Sequence, residues 1–129
     1  MRRLPLAVLA AAIACGAMAA DPALIEPTTL VERLAWGDRS LVLLDVRTPT
    51  EYADGHIPGA INIPHSEIAS RISELSNARD RDLVVYCRSG NRTGQALASL
   101  REAGFSRLFH LNGDYLRWSE EKRPVTGTQ

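Results

Sequence analysis

Residues 83–100 read LVVYCRSGNRTGQALASL, and this stretch places a thiol between a strand and a helix. Residues 83–86 form an apolar run rich in β-branched and aromatic side chains, whereas residues 95–100 favour a helix. Cys87 is therefore expected at the end of a buried strand, on a short polar loop that opens a helix. The free N–H groups and the positive dipole end of a helix start favour the thiolate over the thiol. Because the polar loop is a poor environment for an inert core cysteine, the sequence predicts a reactive nucleophile in an anion-binding cradle.

Strands and helices alternate on both sides of this stretch. Apolar runs at residues 41–44, 60–63 and 108–111 are typical of further strands buried in a sheet. The alternation predicts an α/β domain with a central, mainly parallel, five-stranded sheet and helices on both faces. In such sheets sites lie at the carboxyl ends of the strands, which is where Cys87 is expected. Helical patterns occur at residues 29–34, 48–54, 68–75, 93–103 and 113–120.

Polar and aromatic side chains indicate how the helices begin and pack. Residues 29–32 (TLVE) and 48–51 (TPTE) both have the spacing of a capping box, so helices are expected to start at these two points. Trp118 is expected to anchor the last helix in the core, and Trp36 is expected to be a packing residue as well.

The N-terminus has the features of an export signal. Residues 1–19 combine a basic start, an apolar run and a small-x-small pattern, which together predict a secretory signal peptide and a periplasmic or secreted protein. Cys15 lies in a sequence that partly resembles a lipoprotein box, so a lipid-anchored form is an alternative. Residues 20–26 are predicted to be a linker and residues 125–129 a loose tail.

Charge and cysteine content narrow the class of protein. The chain has 15 basic and 15 acidic residues, and loss of the signal would leave 13 and 15. The absence of a basic run argues against a nucleic-acid partner. Without residues 1–19, Cys87 has no partner for a disulfide within the chain, so an exported protein that keeps it is expected to use it. His65 and His110 lie far apart in the sequence and show no ligand spacing with each other or with Cys87, and neither a metal nor another cofactor is expected.

Three motifs carry a resemblance to a known family. Residues 44–64 read LDVRTPTEYADGHIPGAINIP, residues 87–93 read CRSGNRT, and residues 113–118 read GDYLRW. In this order and spacing they resemble the single-domain rhodaneses, which are thiosulfate sulfurtransferases, and the resemblance implies one rhodanese domain over residues 27–124. The family usually has a second glycine where Asp114 stands, and this departure is expected not to touch the cysteine loop.

The resemblance implies a sulfurtransferase that moves a sulfane sulfur from thiosulfate or a similar donor to cyanide or a thiol. Cys87 would attack the donor and carry the sulfur as a persulfide, which is covalent catalysis. The expected partners are these small molecules, with a protein sulfur acceptor as an alternative, and a monomer is expected. The substrate-binding residues implied are Arg88, Ser89, Gly90, Asn91, Arg92 and Thr93, and the structural supports implied are Asp45, Arg47, Glu51 and His56.

Other functions stay open at this point. Cysteine phosphatases and arsenate reductases on related folds place five residues between cysteine and arginine, whereas four separate Cys87 from Arg92. The smaller ring suits one sulfur atom better than a tetrahedral oxyanion. A non-enzymatic rhodanese-like module, or a carrier that delivers persulfide to one partner, is the second alternative. A dithiol redox role would need a Cys-x-x-Cys pair, which the chain lacks.

Overall fold

The computed structural model describes residues 22–127, and within them one five-stranded sheet forms the centre of the domain. Every strand pair in it is parallel, and the strand order is β1-β5-β4-β2-β3. The predicted α/β fold with a five-stranded sheet is therefore confirmed. The strands are β1 (Ala23–Ile25), β2 (Leu41–Asp45), β3 (Ile61–Asn62), β4 (Asp82–Tyr86) and β5 (Leu108–Leu111).

Helices cover both faces of this sheet, as predicted. The α-helices are α1 (Pro27–Ala35), α2 (Pro49–Asp54), α3 (Asn91–Glu102) and α4 (Asp114–Glu120), and two 3-10 segments span His65–Glu67 and Ile72–Ala78. The central strand β4 contributes side chains to a hydrophobic cluster on each face of the sheet, because successive side chains of a strand point to opposite sides. Val85 packs in the cluster that contains Leu97 of α3, whereas Tyr86 packs in the cluster that contains Trp118 of α4.

The first strand corrects the prediction that residues 20–26 are only a linker. Ala23–Ile25 pairs in register with β5, from Ala23 beside Phe109 to Ile25 beside Leu111. Ile25 is buried while the first two residues of this edge strand are exposed. One buried side chain in three residues gives no detectable period, and therefore the sequence pattern did not indicate a strand.

Two predicted helices begin or continue differently in the structure. α1 starts at Pro27, with Glu26 before it and no side-chain cap, so the expected capping box at residues 29–32 is wrong. Proline at the first helical position presets the helical φ without needing a donor, which lets the helix start two residues earlier. Residues 68–75 form no α-helix: residues 68–71 are turns, and a 3-10 segment begins at Ile72. The capping box at residues 48–51 is confirmed, with both of its hydrogen bonds formed.

The two tryptophans differ in burial, and the C-terminal segment is partly held in place. Trp118 is 1% exposed, as an anchor should be, but Trp36 is 77% exposed because it follows the end of α1, so it is not a packing residue. Thr126 forms a two-residue bridge with His56, which ties down the part of the predicted loose tail that the structure describes.

Several predictions concern residues outside the described range. The signal peptide at residues 1–19 and the lipidation alternative at Cys15 fall there, as do residues 128–129. Among residues 22–127 no helix is both long and apolar enough to cross a membrane.

Candidate active site

Cys87 lies directly after β4, and the loop that follows it folds back over its sulfur. The backbone N–H of Gly90 donates a hydrogen bond to Cys87 Sγ at 3.0 Å, next to the start of α3. Gly90 has φ of 114°, and a Cβ at this position would lie 3.3 Å from a carboxylate oxygen of Asp114. Glycine is therefore required both for the backbone angle and for the close approach. Cys87 is 1% exposed, whereas the next two residues of the loop are exposed to solvent.

The first turn of α4 holds the peptide groups of the cysteine loop. The N–H of Cys87 donates to Asp114 Oδ1 at 3.0 Å, and its carbonyl accepts from the N–H of Tyr115 at 3.0 Å. The carbonyl of Arg88 accepts from the N–H of Leu116 at 3.1 Å. Free N–H groups at a helix start need acceptors, and here the cysteine loop supplies them. The third sequence motif thus fixes the position of the second.

Asp114 is the centre of a buried polar network, which corrects the expectation that it does not touch the loop. Its Oδ1 also accepts from the Thr93 hydroxyl at 2.9 Å, and its Oδ2 lies 2.8 Å from Nε2 of His110. Burial favours the neutral carboxyl, but the hydrogen bonds from His110, the Cys87 amide and Thr93 outweigh it and lower the pKa of Asp114. Asp114 has φ of 53°, a left-handed angle that glycine adopts freely and aspartate tolerates better than most residues. The glycine usual at this position and the aspartate found here meet the same backbone demand.

Arg92, at the start of α3, is held by a carboxylate of α2. Its guanidinium forms two hydrogen bonds to Glu51, at 2.6 and 3.0 Å. These bonds, together with those from Thr48, lower the pKa of Glu51 to about 2. Glu51 therefore serves the capping box and an ion pair at the same time. The expected contact of Arg92 with an anionic donor competes with this pair.

Asp45 and Arg47 form the second ion pair of the site, and it is buried. The guanidinium Nη2 of Arg47 lies 2.6 Å from Asp45 Oδ2 and donates to the carbonyl of Gly55 at 2.7 Å. The same guanidinium packs over the ring of Tyr115, 4.0 Å from its centroid. The pair ties the end of β2 to the loop after α2 and to the first turn of α4. Burial next to Asp45 also raises the pKa of Tyr86, whose hydroxyl accepts a hydrogen bond from a backbone N–H.

A comparison of the sequence with known protein families finds a match that includes the cysteine loop. The sequence profile of the rhodanese-like domain matches residues 26–121, which is most of the chain. The chain belongs to the rhodanese-like domain family. The prediction that the three motifs belong to this family is confirmed.

Relatives with names and structures support the same assignment. A protein named sulfurtransferase from Allochromatium vinosum is 39% identical over 105 residues, covering 81% of this chain and 95% of that protein. The thiosulfate sulfurtransferase PspE of Escherichia coli is 37% identical over 70 residues, covering 54% of this chain and 67% of PspE. The crystal structure of the Alr3790 protein from Anabaena sp. is 36% identical, with a TM-score of 0.73 over 80% of this chain and 82% of that one.

A shallow cleft adjoins the cysteine loop of this rhodanese-like domain. It has a volume of about 210 Å³, and its lining mixes both signs of charge. Among the described residues Arg88 makes no ion pair or side-chain hydrogen bond, in contrast to Arg92 and Arg47. Arg88 is therefore the cation most available to an anion in the cleft. The lining residues are Arg47, Glu51, Asp54, Gly55, Arg88 and Tyr115.

The structure separates the predicted site residues of the rhodanese-like domain into two groups. Arg88, Ser89 and Asn91 are exposed at the outer rim of the loop, whereas Thr93 is fully buried and donates its hydroxyl to Asp114 instead of facing the rim. His56 contacts α2: its Nδ1 is 2.7 Å from the carbonyl of Tyr52, and the two rings stack.

Sequence reasoning missed three residues around the loop, namely His110, Asp114 and Tyr115. Asp114 offered one usable signal, because a charged residue had replaced the glycine of the family pattern at a position next to the site. His110 and Tyr115 offered none, since their roles depend on β5 lying beside β4 and on the direction in which α4 starts.

Proposed function

We propose that this chain is a sulfurtransferase that carries a sulfane sulfur on Cys87 as a persulfide. The observation that carries the proposal is the hydrogen bond from Gly90 N–H to Cys87 Sγ at the start of α3, because it stabilises negative charge on sulfur. The names of the relatives from Allochromatium vinosum and Escherichia coli support sulfur transfer in general. The loop between Cys87 and Arg92 supports a single sulfur atom as the group transferred.

The proposed reaction has two steps with a covalent intermediate. The Cys87 thiolate attacks the outer sulfur of thiosulfate, the S–S bond of the donor breaks, and sulfite leaves with the electron pair. Cys87 then holds a terminal persulfide anion. Cyanide or a thiolate attacks that outer sulfur, and thiocyanate or a new persulfide leaves while the Cys87 thiolate is restored. In each step one bond to the outer sulfur forms while another breaks and its electron pair leaves with the departing group, so no external oxidant or reductant is needed; the attacking thiolate needs no general base.

The loop supplies the electrostatic support that both steps need. A thiosulfate dianion brings two negative charges to a thiolate, and the amides at the start of α3 together with Arg88 offset part of that repulsion. Arg88 is exposed beside the cleft and is not paired with a carboxylate in the described structure. It is accordingly the first contact that we propose for the anionic donor, while Arg92 is held by Glu51.

Mass spectrometry of the intact protein before and after thiosulfate tests the persulfide directly. We expect the wild type to gain one sulfur atom, about 32 Da, as a covalent catalyst of this kind must, and to lose it on addition of cyanide. Cys87→Ser should gain nothing while keeping the same unfolding curve. A wild type that takes no sulfur from thiosulfate or from any other sulfane donor would overturn the proposal.

Kinetics with two donors test the role of Arg88. Arg88→Gln should raise the apparent KM for thiosulfate about tenfold, and should change that for an uncharged sulfane donor little, because one charge contact of this kind contributes about 1.4 kcal/mol. Arg92→Gln is the matched control, since its guanidinium is already engaged by Glu51. A larger effect of Arg92→Gln than of Arg88→Gln would reverse the assignment.

The acceptor class and the carrier alternative can be separated in the same assay. A persulfide that forms readily but is not removed by cyanide or small thiols would indicate a carrier for one protein acceptor. Rapid turnover with free cyanide or a small thiol would indicate an enzyme that acts on small molecules. We also propose that this single domain works as a monomer. Sedimentation of the persulfide form checks the monomer.

We also propose that the protein acts outside the cytoplasm. The proposal rests on the composition of residues 1–19, with a lipid anchor at Cys15 as its alternative. The mass of the mature chain from cell fractions decides between them: cleavage near Ala19 supports a periplasmic or secreted protein, and a lipid-modified Cys15 supports the anchor. The full-length mass in the cytoplasmic fraction would refute export.

A further inference from the structure

A histidine and a carboxylate lie beneath the cysteine loop, and the proposed sulfur transfer uses neither. His110 belongs to β5 and Asp114 is the first residue of α4, and their side chains are 19% and 3% exposed. The backbone of Gly90 lies against both, since a Cβ there would be 3.3 Å from Asp114 Oδ2 and 3.6 Å from His110 Cε1. The charge of this pair therefore acts on the loop at short range.

The pair combines the carboxylate of Asp114 with the imidazole of His110. The lowered pKa of Asp114 keeps its carboxylate ionised near neutral pH. That carboxylate accepts the N–H of Cys87 itself, so an uncompensated negative charge here disfavours a second one on the sulfur. A protonated imidazole offsets the carboxylate, and histidine is the side chain whose charge ordinarily changes near neutral pH.

We propose that Asp114 and His110 form a positioning pair that holds Cys87 in place and makes its reactivity depend on the protonation of His110. The inference rests on the proposed function only in taking Cys87 as the nucleophile. When His110 is protonated, the pair is neutral and the thiolate is favoured. When His110 is neutral, the pair carries one negative charge and the thiolate is disfavoured, although the hydrogen bonds that position the loop remain.

The charged groups on the two helices that begin beside the pair, together with their partners, are of types that keep their charge near neutral pH. From α3, Arg92 interacts electrostatically with Cys87, and its partner Glu51 has a pKa of about 2. From α4, Arg117 is bound to Glu26 and Glu121, whose pKa values are lowered by their hydrogen bonds. Among the groups named here, the imidazole is the one of a type that ordinarily changes charge near neutral pH.

The test measures the alkylation rate of Cys87 by iodoacetamide as a function of pH, in the full chain, with the modified peptide quantified by mass spectrometry. Iodoacetamide is uncharged, so the rate does not report donor binding by arginine. Asp114→Asn keeps an oxygen acceptor for Cys87 N–H and removes the charge. His110→Gln keeps a side-chain N–H donor and removes the proton switch.

We expect opposite shifts of the rate profile. The midpoint should move to lower pH in Asp114→Asn and to higher pH in His110→Gln, each by roughly half to one pH unit, as the loss of one neighbouring charge predicts. Asp80→Asn and His65→Gln are matched controls in exposed and half-exposed positions, and their profiles should coincide with that of the wild type. A loosened loop would move both test variants in the same direction.

Shifts in the same direction, or no shift in His110→Gln, would overturn the proposal. If Asp114→Asn fails to fold, as its unfolding curve would show, the His110→Gln profile decides alone. Failure of the wild type to take up sulfur would refute the proposed function and would leave the alkylation profiles readable, so the two failures are distinguishable.

Discussion

Two buried carboxylates flank the strand that leads to Cys87, and they are paired with different kinds of side chain. Asp45 ends β2 on one side of β4, and Asp114 follows β5 on the other. Each accepts a backbone N–H of a neighbouring loop residue, Arg47 in one case and Cys87 in the other. The cation that balances Asp45 is a guanidinium, which keeps its charge at any ordinary pH.

The partner of Asp114 is the imidazole of His110, a type of side chain that ordinarily changes charge near neutral pH. Under the proposal above, the same device gives a fixed support on the β2 side and a support that responds to pH on the β5 side. The responsive one contacts the cysteine. The comparison illustrates how one fold can pair a buried carboxylate with a permanent cation at one strand end and with a histidine at another.

Removing the fixed cation should have the largest effect. Arg47→Leu leaves Asp45 buried without its partner, and we expect the free energy of unfolding to fall by about 3–5 kcal/mol. Arg71→Leu removes a cation from an exposed pair with Glu74, and because solvent screens such a pair we expect a much smaller loss of stability. Urea unfolding curves measure both, and equal losses would contradict the contrast between buried and exposed pairs.

A smaller effect is expected on the other side of β4. Thr93→Val is nearly isosteric and removes one hydrogen bond to the charged Asp114, so the free energy of unfolding should fall by about 1.5–3 kcal/mol. Thr50→Val, at an exposed position of α2, serves as the control and should change stability little. A loss in Thr93→Val no greater than in the control would show that Asp114 is satisfied without this hydroxyl.

The smallest effect concerns acid unfolding. The pKa of Asp114 is lower in the folded chain than its ordinary value near 3.9, so its contribution to stability is present above that pH and is lost as the pH falls through the folded pKa. Asp114→Asn should therefore flatten the dependence of stability on pH below about pH 4, by at most about 1.4 kcal/mol per pH unit. Unfolding midpoints measured at several acid pH values give the slope; an unchanged slope would mean that Asp114 does not take up a proton on unfolding.

Much of the scaffold could be predicted from the sequence because it follows local patterns. The strands at residues 41–44 and 83–86 are continuous apolar runs, and the capping box at Thr48 is spelled out in four residues. The position of Cys87 between a strand and a helix follows from the same two patterns. β1 was not predicted, because only one of its three side chains is buried and the sequence therefore shows no strand pattern.

The missed contacts are those that depend on distant parts of the chain. Asp114 lies 27 residues after Cys87, and it reaches the cysteine amide only because β5 pairs with β4 and α4 starts with a left-handed residue. Arg92 looked available for a substrate, yet Glu51, 41 residues earlier, holds it. Such pairs need the strand order, which hydropathy patterns do not give.

The hydrogen bonds by which α4 holds the cysteine loop also have a consequence during synthesis of the polypeptide. Domains are made from the N-terminus at about 5–20 residues per second, so Cys87 is translated on the order of seconds before the amides of Tyr115 and Leu116 that hold its loop. β1 must likewise wait for β5, its only neighbour in the sheet of the described chain. The nascent polypeptide therefore carries the Cys87 thiol without the contacts that hold its loop, and these contacts form only after the C-terminal motif has been made.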